Sequence, residues 1–209
     1  MKEYKLPIGC DVPETIILAD GDFPSHPLAL EWLRQCPYVV CCDGAANTYI
    51  RSGRMPEAIV GDGDSLLPDI KERYASLIHS EAEQETNDLS KAFRFCLSQE
   101  RKRITIMGAT GKREDHTIGN VSLLADYMEQ AEVSMMTDYG IFVPIREDSM
   151  FESYIGQQIS VFNMNSTALS AEGLAYPLSV FTNWWQGTLN EALARHFIIR
   201  TEGRSGAHV

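Results

Sequence analysis

The chain reads as an α/β protein, with a mainly parallel sheet domain first and a smaller antiparallel β domain after it. Three observations carry this reading. Short apolar runs alternate with helical periodicity from about residue 15 to 145. Carboxylates recur where those apolar runs end. Beyond about 140–150 the pattern changes to β-like stretches separated by turn-forming residues, with no long helical period. Strand–helix alternation predicts parallel strands covered on both faces. Ligands of such sheets bind beyond the carboxyl ends of the strands. The domains are expected at 1–145 and 146–209.

The strands are expected at Thr15–Ala19, Tyr38–Cys42, Ala58–Val60, Ser76–His79, Arg103–Met107 and Glu132–Met136. Leu89, Ala92, Phe93, Cys96 and Leu97 make one helical stripe, and Ile118, Val121, Leu124, Ala125 and Met128 make a second. Thr86 or Asn87 is expected to cap the first helix and Asp115 the second. The later β stretches are Gly140–Ile145, Gln158–Met164, Leu169–Ala171 and Phe197–Arg200. The small, polar residues from Glu202 to Val209 are expected to fray.

With 209 residues and 44% hydrophobic content, the chain is long enough for a sizeable core. The formal net charge of −11 argues against nucleic acid and anionic membranes as partners. It favours a cationic ligand, or an anion that arrives with its own metal. The five cysteines include no CxxC pair. Cys41 and Cys42 are adjacent on an expected strand and point to opposite faces, so reduced thiols in a cytoplasmic protein are the simplest reading. No signal peptide or membrane-spanning stretch is expected.

The stretch 59–65 reads Ile-Val-Gly-Asp-Gly-Asp-Ser. In an extended segment Asp62 and Asp64 would face the same way, roughly 6–7 Å apart, within reach of one magnesium ion or a pair. A surface turn accounts for the same residues about equally well when they are taken alone. Asp43 at one strand end and Asp88 at a helix start add carboxylates to the same edge, which tips the balance toward a metal. Clustered like charges are costly unless a cation offsets them. Asp43-Gly-Ala-Ala-Asn47 opens a helix with small residues that would let main-chain N–H groups face a phosphate or ribose. Gly108-Ala-Thr-Gly111-Lys112-Arg113-Glu114-Asp115-His116 places two cations between a strand and a helix start, a plausible phosphate grip that is not a Walker A loop. For His116, a structural hydrogen bond is favoured over a general-base role. Trp184 and Trp185 could stack on a flat cationic ring, although adjacent tryptophans more often fill a core or an interface.

In their order and spacing these segments resemble the thiamine pyrophosphokinase family. Asp43–Asn47 resembles its DGGAN motif, Gly61–Ser65 its GDxDS motif and Gln84–Asp88 its Q-x-x-T-D segment. Gly108–Asn120 resembles its G-x-x-G-x-R-x-D-H-x-x-x-N stretch. Glu172–Leu178 and Gly187–Glu191 are similar to its GLxYPL and G-x-S-N-E signatures. Ala45, Asn87 and Leu189 depart from the family's Gly, Thr and Ser at those places.

The resemblance implies a C-terminal β-sandwich and a homodimer with active sites between subunits. It implies transfer of the terminal diphosphate of ATP to thiamine, giving thiamine diphosphate and AMP. Asp62, Asp64, Asp88 and Asp43 would hold Mg2+. Arg113 would neutralise phosphate charge, Gln84, Asp115 and Asn120 would orient substrates, and Asp43 and Asn47 would line the nucleotide side. Trp184 or Trp185 and Asn190 would contact thiamine. A metal-dependent nucleotide phosphohydrolase and a non-catalytic Mg–ATP sensor are the alternatives that the residues leave open.

Overall fold

The computed structural model describes residues 1–7, 11–81, 83, 85–202 and 207–208. In chain order the elements are β1 (Lys2–Tyr4), β2 (Thr15–Leu18), α1 (Pro27–Gln35), β3 (Val39–Cys42), α2 (Ala45–Arg51), β4 (Ala58–Gly61), α3 (Pro68–Arg73), β5 (Ile78–Ser80), α4 (Asp88–Ser98), β6 (Arg103–Met107), α5 (Glu114–Tyr127), β7 (Glu132–Met136) and β8 (Ile141–Phe142). They continue with β9 (Ser149–Glu152), β10 (Gln158–Ile159), β11 (Phe162–Asn163), β12 (Ala168–Glu172), β13 (Asn190–Glu191), β14 (His196–Glu202) and β15 (Ala207–His208).

The chain divides into two units, Gly9–Ile141 and a second made of Met1–Ile8 with Phe142–Val209. This corrects the expected boundary in two respects. The division falls after Ile141 rather than after residue 145, and the first residues join the C-terminal unit.

In the first unit a seven-stranded sheet runs β5-β4-β3-β2-β6-β7-β8. The strands from β2 to β7 pair in parallel. Every residue of β2, β3 and β4 is buried. That two-sided burial is why these strands read as unbroken apolar runs rather than as alternating patterns. The chain steps outward from β2 to β5 and then returns to the other side of β2 as β6. The topological switch point therefore lies between β2 and β6. A 3-10 turn, Ala75–Leu77, takes the first half of the expected Ser76–His79 strand and delays β5 to Ile78.

Asn87 caps α4, accepting from the Ser90 N–H at 2.9 Å. Leu89, Ala92, Phe93 and Cys96 are buried under that helix as the stripe requires. The expectation for α5 needs correction. Its cap residue is Arg113, without a side-chain cap bond, and Asp115 lies inside the first turn. Ile118 on its stripe is 60% exposed.

The second unit holds a four-stranded sheet, β1-β9-β14-β12, and two short ladders, β10-β13 and β11-β15. Its core draws Phe151, Leu169, Phe197 and Ile199 from the sheet and Ile159 from a ladder strand, with Val161 beside it. The stretch 158–164 is thus two strands, not one. β1 pairs in parallel with β9, and Tyr4 stacks on Phe151 at 4.7 Å between ring centroids. The expected fraying of the tail fails at Ala207–His208, which pairs with β11.

Candidate active site

Asp43 follows β3 directly and is the most constrained residue at the carboxyl edge. Its φ of +27° lies in the left-handed region, which a non-glycine residue adopts only when its surroundings hold it there. It is 3% exposed. One carboxylate oxygen, Oδ2, accepts the Ser65 N–H at 2.9 Å. The other, Oδ1, is buried and has no hydrogen-bond partner. Burial pushes its pKa up, and the charges of Asp88 and Asp62 push it further the same way.

Gly61, the last residue of β4, makes this proximity possible. A Cβ there would lie 2.8 Å from Asp43 Cβ and 3.4 Å from Asp88 Cγ. Both carboxylates therefore crowd the place that a Gly61 side chain would take. Asp88 opens α4 and receives Lys91 Nζ on Oδ1 at 3.1 Å.

Asp62 and Asp64 do not lie on an extended run, which corrects the expectation of two carboxylates pointing the same way. The chain bends immediately after β4, and the Asp64 N–H donates to Asp62 Oδ1 at 3.1 Å in an Asx turn. Asp62 stays half-buried beside Asp43, whereas Asp64 is exposed. Asn47 braces this turn. Its Nδ2 donates to the Ser65 carbonyl at 2.8 Å and its Oδ1 accepts the Leu67 N–H at 3.0 Å. Its amide thus fixes the loop, with one N–H and one lone pair left over.

Asn120 has a similar bracing role. It donates to the Ala109 carbonyl at 2.8 Å and accepts from Asn87 Nδ2 at 3.1 Å. Arg113 folds onto Asp115 in a two-pronged ion pair, 3.1 Å through Nε and 2.5 Å through Nη2. That guanidinium holds the Asp115 carboxyl down at about 2. Both residues are exposed, so the pair is open to a competing anion. Backbone bonding accounts for what the structure shows at His116, whose N–H donates to Asp115 Oδ1. Gln84 lies outside the described residues.

At the switch point a cavity of about 140 Å³ is lined by Asp20, Asp22, Phe23, Thr48 and Lys112, among others. The β2 and β6 loops are clamped there. The Gly21 N–H donates to the Gly108 carbonyl at 2.6 Å, and Lys112 Nζ reaches Asp20 Oδ1 at 3.0 Å. Gly111 has a φ of +78°, and a Cβ there would lie 2.1 Å from Asp22 Oδ2. Sequence reasoning missed Asp22 and Lys91 at this edge. Of these, Lys91 had a legible signal: it stands three residues after Asp88, between Leu89 and Ala92 of the buried stripe.

In the C-terminal unit, buried Asn190 makes three hydrogen bonds. Its Oδ1 accepts the N–H groups of Tyr176 and Glu191, and its Nδ2 donates to the Tyr176 carbonyl at 2.8 Å. Trp184 is 51% exposed and meets Phe162 edge-on, and Trp185 is 71% exposed. The tryptophans are therefore not core filling of this unit. Leu189 is 78% exposed at a φ of +61°.

Among the described residues no three His, Cys, Asp or Glu side chains already close around one point. What exists is an open rim: a buried Asp43 oxygen without a partner, with Asp88 and Asp62 beside it. Magnesium typically takes one or two carboxylates and completes its shell with water and substrate phosphate. Hard carboxylate oxygens in an open rim fit that demand.

Comparison with known proteins places both halves of the chain. Residues 29–136 match the family model "Thiamin pyrophosphokinase, catalytic domain", and residues 140–205 match "Thiamin pyrophosphokinase, substrate-binding domain". Thiamine pyrophosphokinase 1 of Oryza sativa subsp. japonica is 30% identical over 129 residues, covering 50% of this chain and 49% of the relative. Thiamin pyrophosphokinase 1 of Caenorhabditis elegans is 30% identical over 110 residues, covering 48% and 45%. The chain thus spans about half the length of these relatives. Among solved structures, thiamine pyrophosphokinase from Bacillus subtilis superposes with a TM-score of 0.76 at 20% identity, over 93% of this chain and 96% of that one. The Candida albicans structure gives 0.75 at 17% identity, over 99% and 92%. These two confirm the fold, and the family matches cover most of the sequence. The chain belongs to the thiamin pyrophosphokinase family.

Proposed function

We propose that the protein transfers the terminal diphosphate of Mg–ATP to the hydroxyethyl oxygen of thiamine, releasing thiamine diphosphate and AMP. The observation that carries the reading is the crowding of Asp43 and Asp88 at Gly61, within the segment matched by the family's catalytic domain. Asp43, Asp62 and Asp88 would hold Mg2+, with Asp64 within reach from the outer turn. The ion, when bound, supplies charge neutralisation on the phosphates.

The chain's own residues supply position and charge. Arg113 exchanges Asp115 for the transferred diphosphate, and Asp115 then receives the guanidinium back as product leaves. Asn47 and Asn120 act indirectly, by fixing the 62–67 turn and the 108–113 loop. The thiamine oxygen bonds to the β-phosphorus, the bridging oxygen leaves on AMP, and the alcohol proton passes to a carboxylate of the rim. Such transfer depends on positioning and electrostatics rather than on a covalent enzyme intermediate.

Trp184, half exposed, would stack on the cationic thiazolium. Asn190 would shape that pocket by holding Tyr176 rather than by touching thiamine. We read the assembly as a homodimer in which subunits share the thiamine site. Among the described residues Cys36, Cys41, Cys42 and Cys96 are free thiols, which supports a reducing, cytoplasmic setting. None of the described helices is long and apolar enough to cross a membrane.

An assay of AMP and thiamine diphosphate, with and without thiamine, tests the reaction. Phosphate release without thiamine would instead mark a phosphohydrolase. Binding of Mg–ATP without turnover would mark a sensor. Light scattering tests the dimer, which a fully active monomer would refute.

A further inference from the structure

Among the described residues two charged side chains are buried, Asp43 and Lys91, each 3% exposed. The proposed chemistry uses the first and gives no task to the second. A buried ammonium is costly unless it is paired. Lys91 Nζ lies 3.1 Å from Asp88 Oδ1. Asp88 in turn crowds the Gly61 position together with Asp43. The ammonium thus bonds one carboxylate, and that carboxylate neighbours another whose buried oxygen has no partner. Asp62 adds a third negative charge beside them. The other ammonium groups at this edge are engaged elsewhere: Lys71 donates to the Gly63 carbonyl at 2.9 Å and Lys112 to Asp20 Oδ1 at 3.0 Å. Lys91 is therefore the cation bonded directly to the Asp43–Asp88 pair.

We infer that Lys91 is a resident counter-cation. It holds Asp88 in place and balances the rim when no divalent ion is bound. By the same charge it limits how tightly the rim takes one. Lys91 is a positioning residue acting through Asp88. The inference rests on the reading that the rim takes Mg2+.

The test measures Mn2+ binding by electron paramagnetic resonance without nucleotide, and melting temperature in chelator. It compares the wild type, Lys91→Met, Lys91→Arg and Lys91→Met combined with Asp88→Asn. Lys91→Met should melt lower in chelator, and Asp88→Asn in the same chain should restore most of the loss. Lys91→Met should bind Mn2+ at least about fivefold more tightly than the wild type, the scale of one unit charge acting over a few ångströms. Lys91→Arg, which keeps the charge, should bind Mn2+ as the wild type does. If Lys91→Met does not fold, Lys91→Gln carries the same comparison. Equal Mn2+ affinity in the wild type and the uncharged variant overturns the inference and leaves the metal reading standing. Absence of Mn2+ binding in both overturns the two together.

Discussion

Asn87 Nδ2 donates to Asn120 Oδ1 at 3.1 Å, tying the cap of α4 to the body of α5. Through the Asn120–Ala109 bond the same link reaches the loop after β6. One amide therefore sets the spacing between the Asp88 carboxylate and the Arg113 loop. Asn120→Ala removes both bonds and should destabilise by about 1–2 kcal/mol. A double-mutant cycle with Asn87→Ala should show coupling of about 0.5–1.5 kcal/mol. Additive losses in denaturant melts would refute the link.

Asp43 should trade stability for function. Its folded pKa is raised, so the ionised form costs stability above the ordinary carboxylate range, and the cost fades as pH falls and the group protonates. Asn removes the charge and can still accept the Ser65 N–H. Asp43→Asn should therefore raise the melting temperature in chelator near pH 8, while turnover collapses. A lower melting temperature at that pH would show that the buried carboxylate is not strained.

Arg113 and Asp115 are exposed, so their ion pair should matter little for folding. Asp115 is held down at about 2, so the pair is present above the ordinary carboxylate range and is lost only as pH falls toward that value. Arg113→Ala should leave the melting temperature nearly unchanged near neutral pH and reduce turnover by roughly a hundredfold or more. Near-normal turnover would confine Arg113 to the surface.

Much of the first unit was legible because its strands are buried on both faces and read as apolar runs. The carboxyl edge was legible for the same reason, since Asp43 and Asp62 end such runs. Three kinds of feature were hidden. β1 is three residues long, and its partner Ser149–Glu152 lies far along the chain, so no local pattern marks it. Asn47, Asn120 and Asn190 were expected to contact ligands, and each also bonds backbone groups or another amide, a structural role that a motif does not report. The Asp62–Asp64 spacing suited an extended segment, and the turn at Gly63 broke it.

Leu189 occupies a left-handed conformation that disfavours a branched side chain, and its exposure leaves no cavity to be lost. Leu189→Gly or Leu189→Asn should stabilise by roughly 0.5–1 kcal/mol. Leu189→Ser should not lower the melting temperature appreciably. A sharp drop for the serine variant would place Leu189 in a packed environment, and an altered thiamine Michaelis constant would place it at the pocket.

The proposed reaction is diphosphate transfer to thiamine at this carboxylate rim. The most direct measurement is product stoichiometry from purified protein with Mg–ATP, in the presence and absence of thiamine. AMP and thiamine diphosphate in equal amounts, with AMP formation dependent on thiamine, is the predicted result. ADP with thiamine monophosphate, or phosphate released without thiamine, would contradict it.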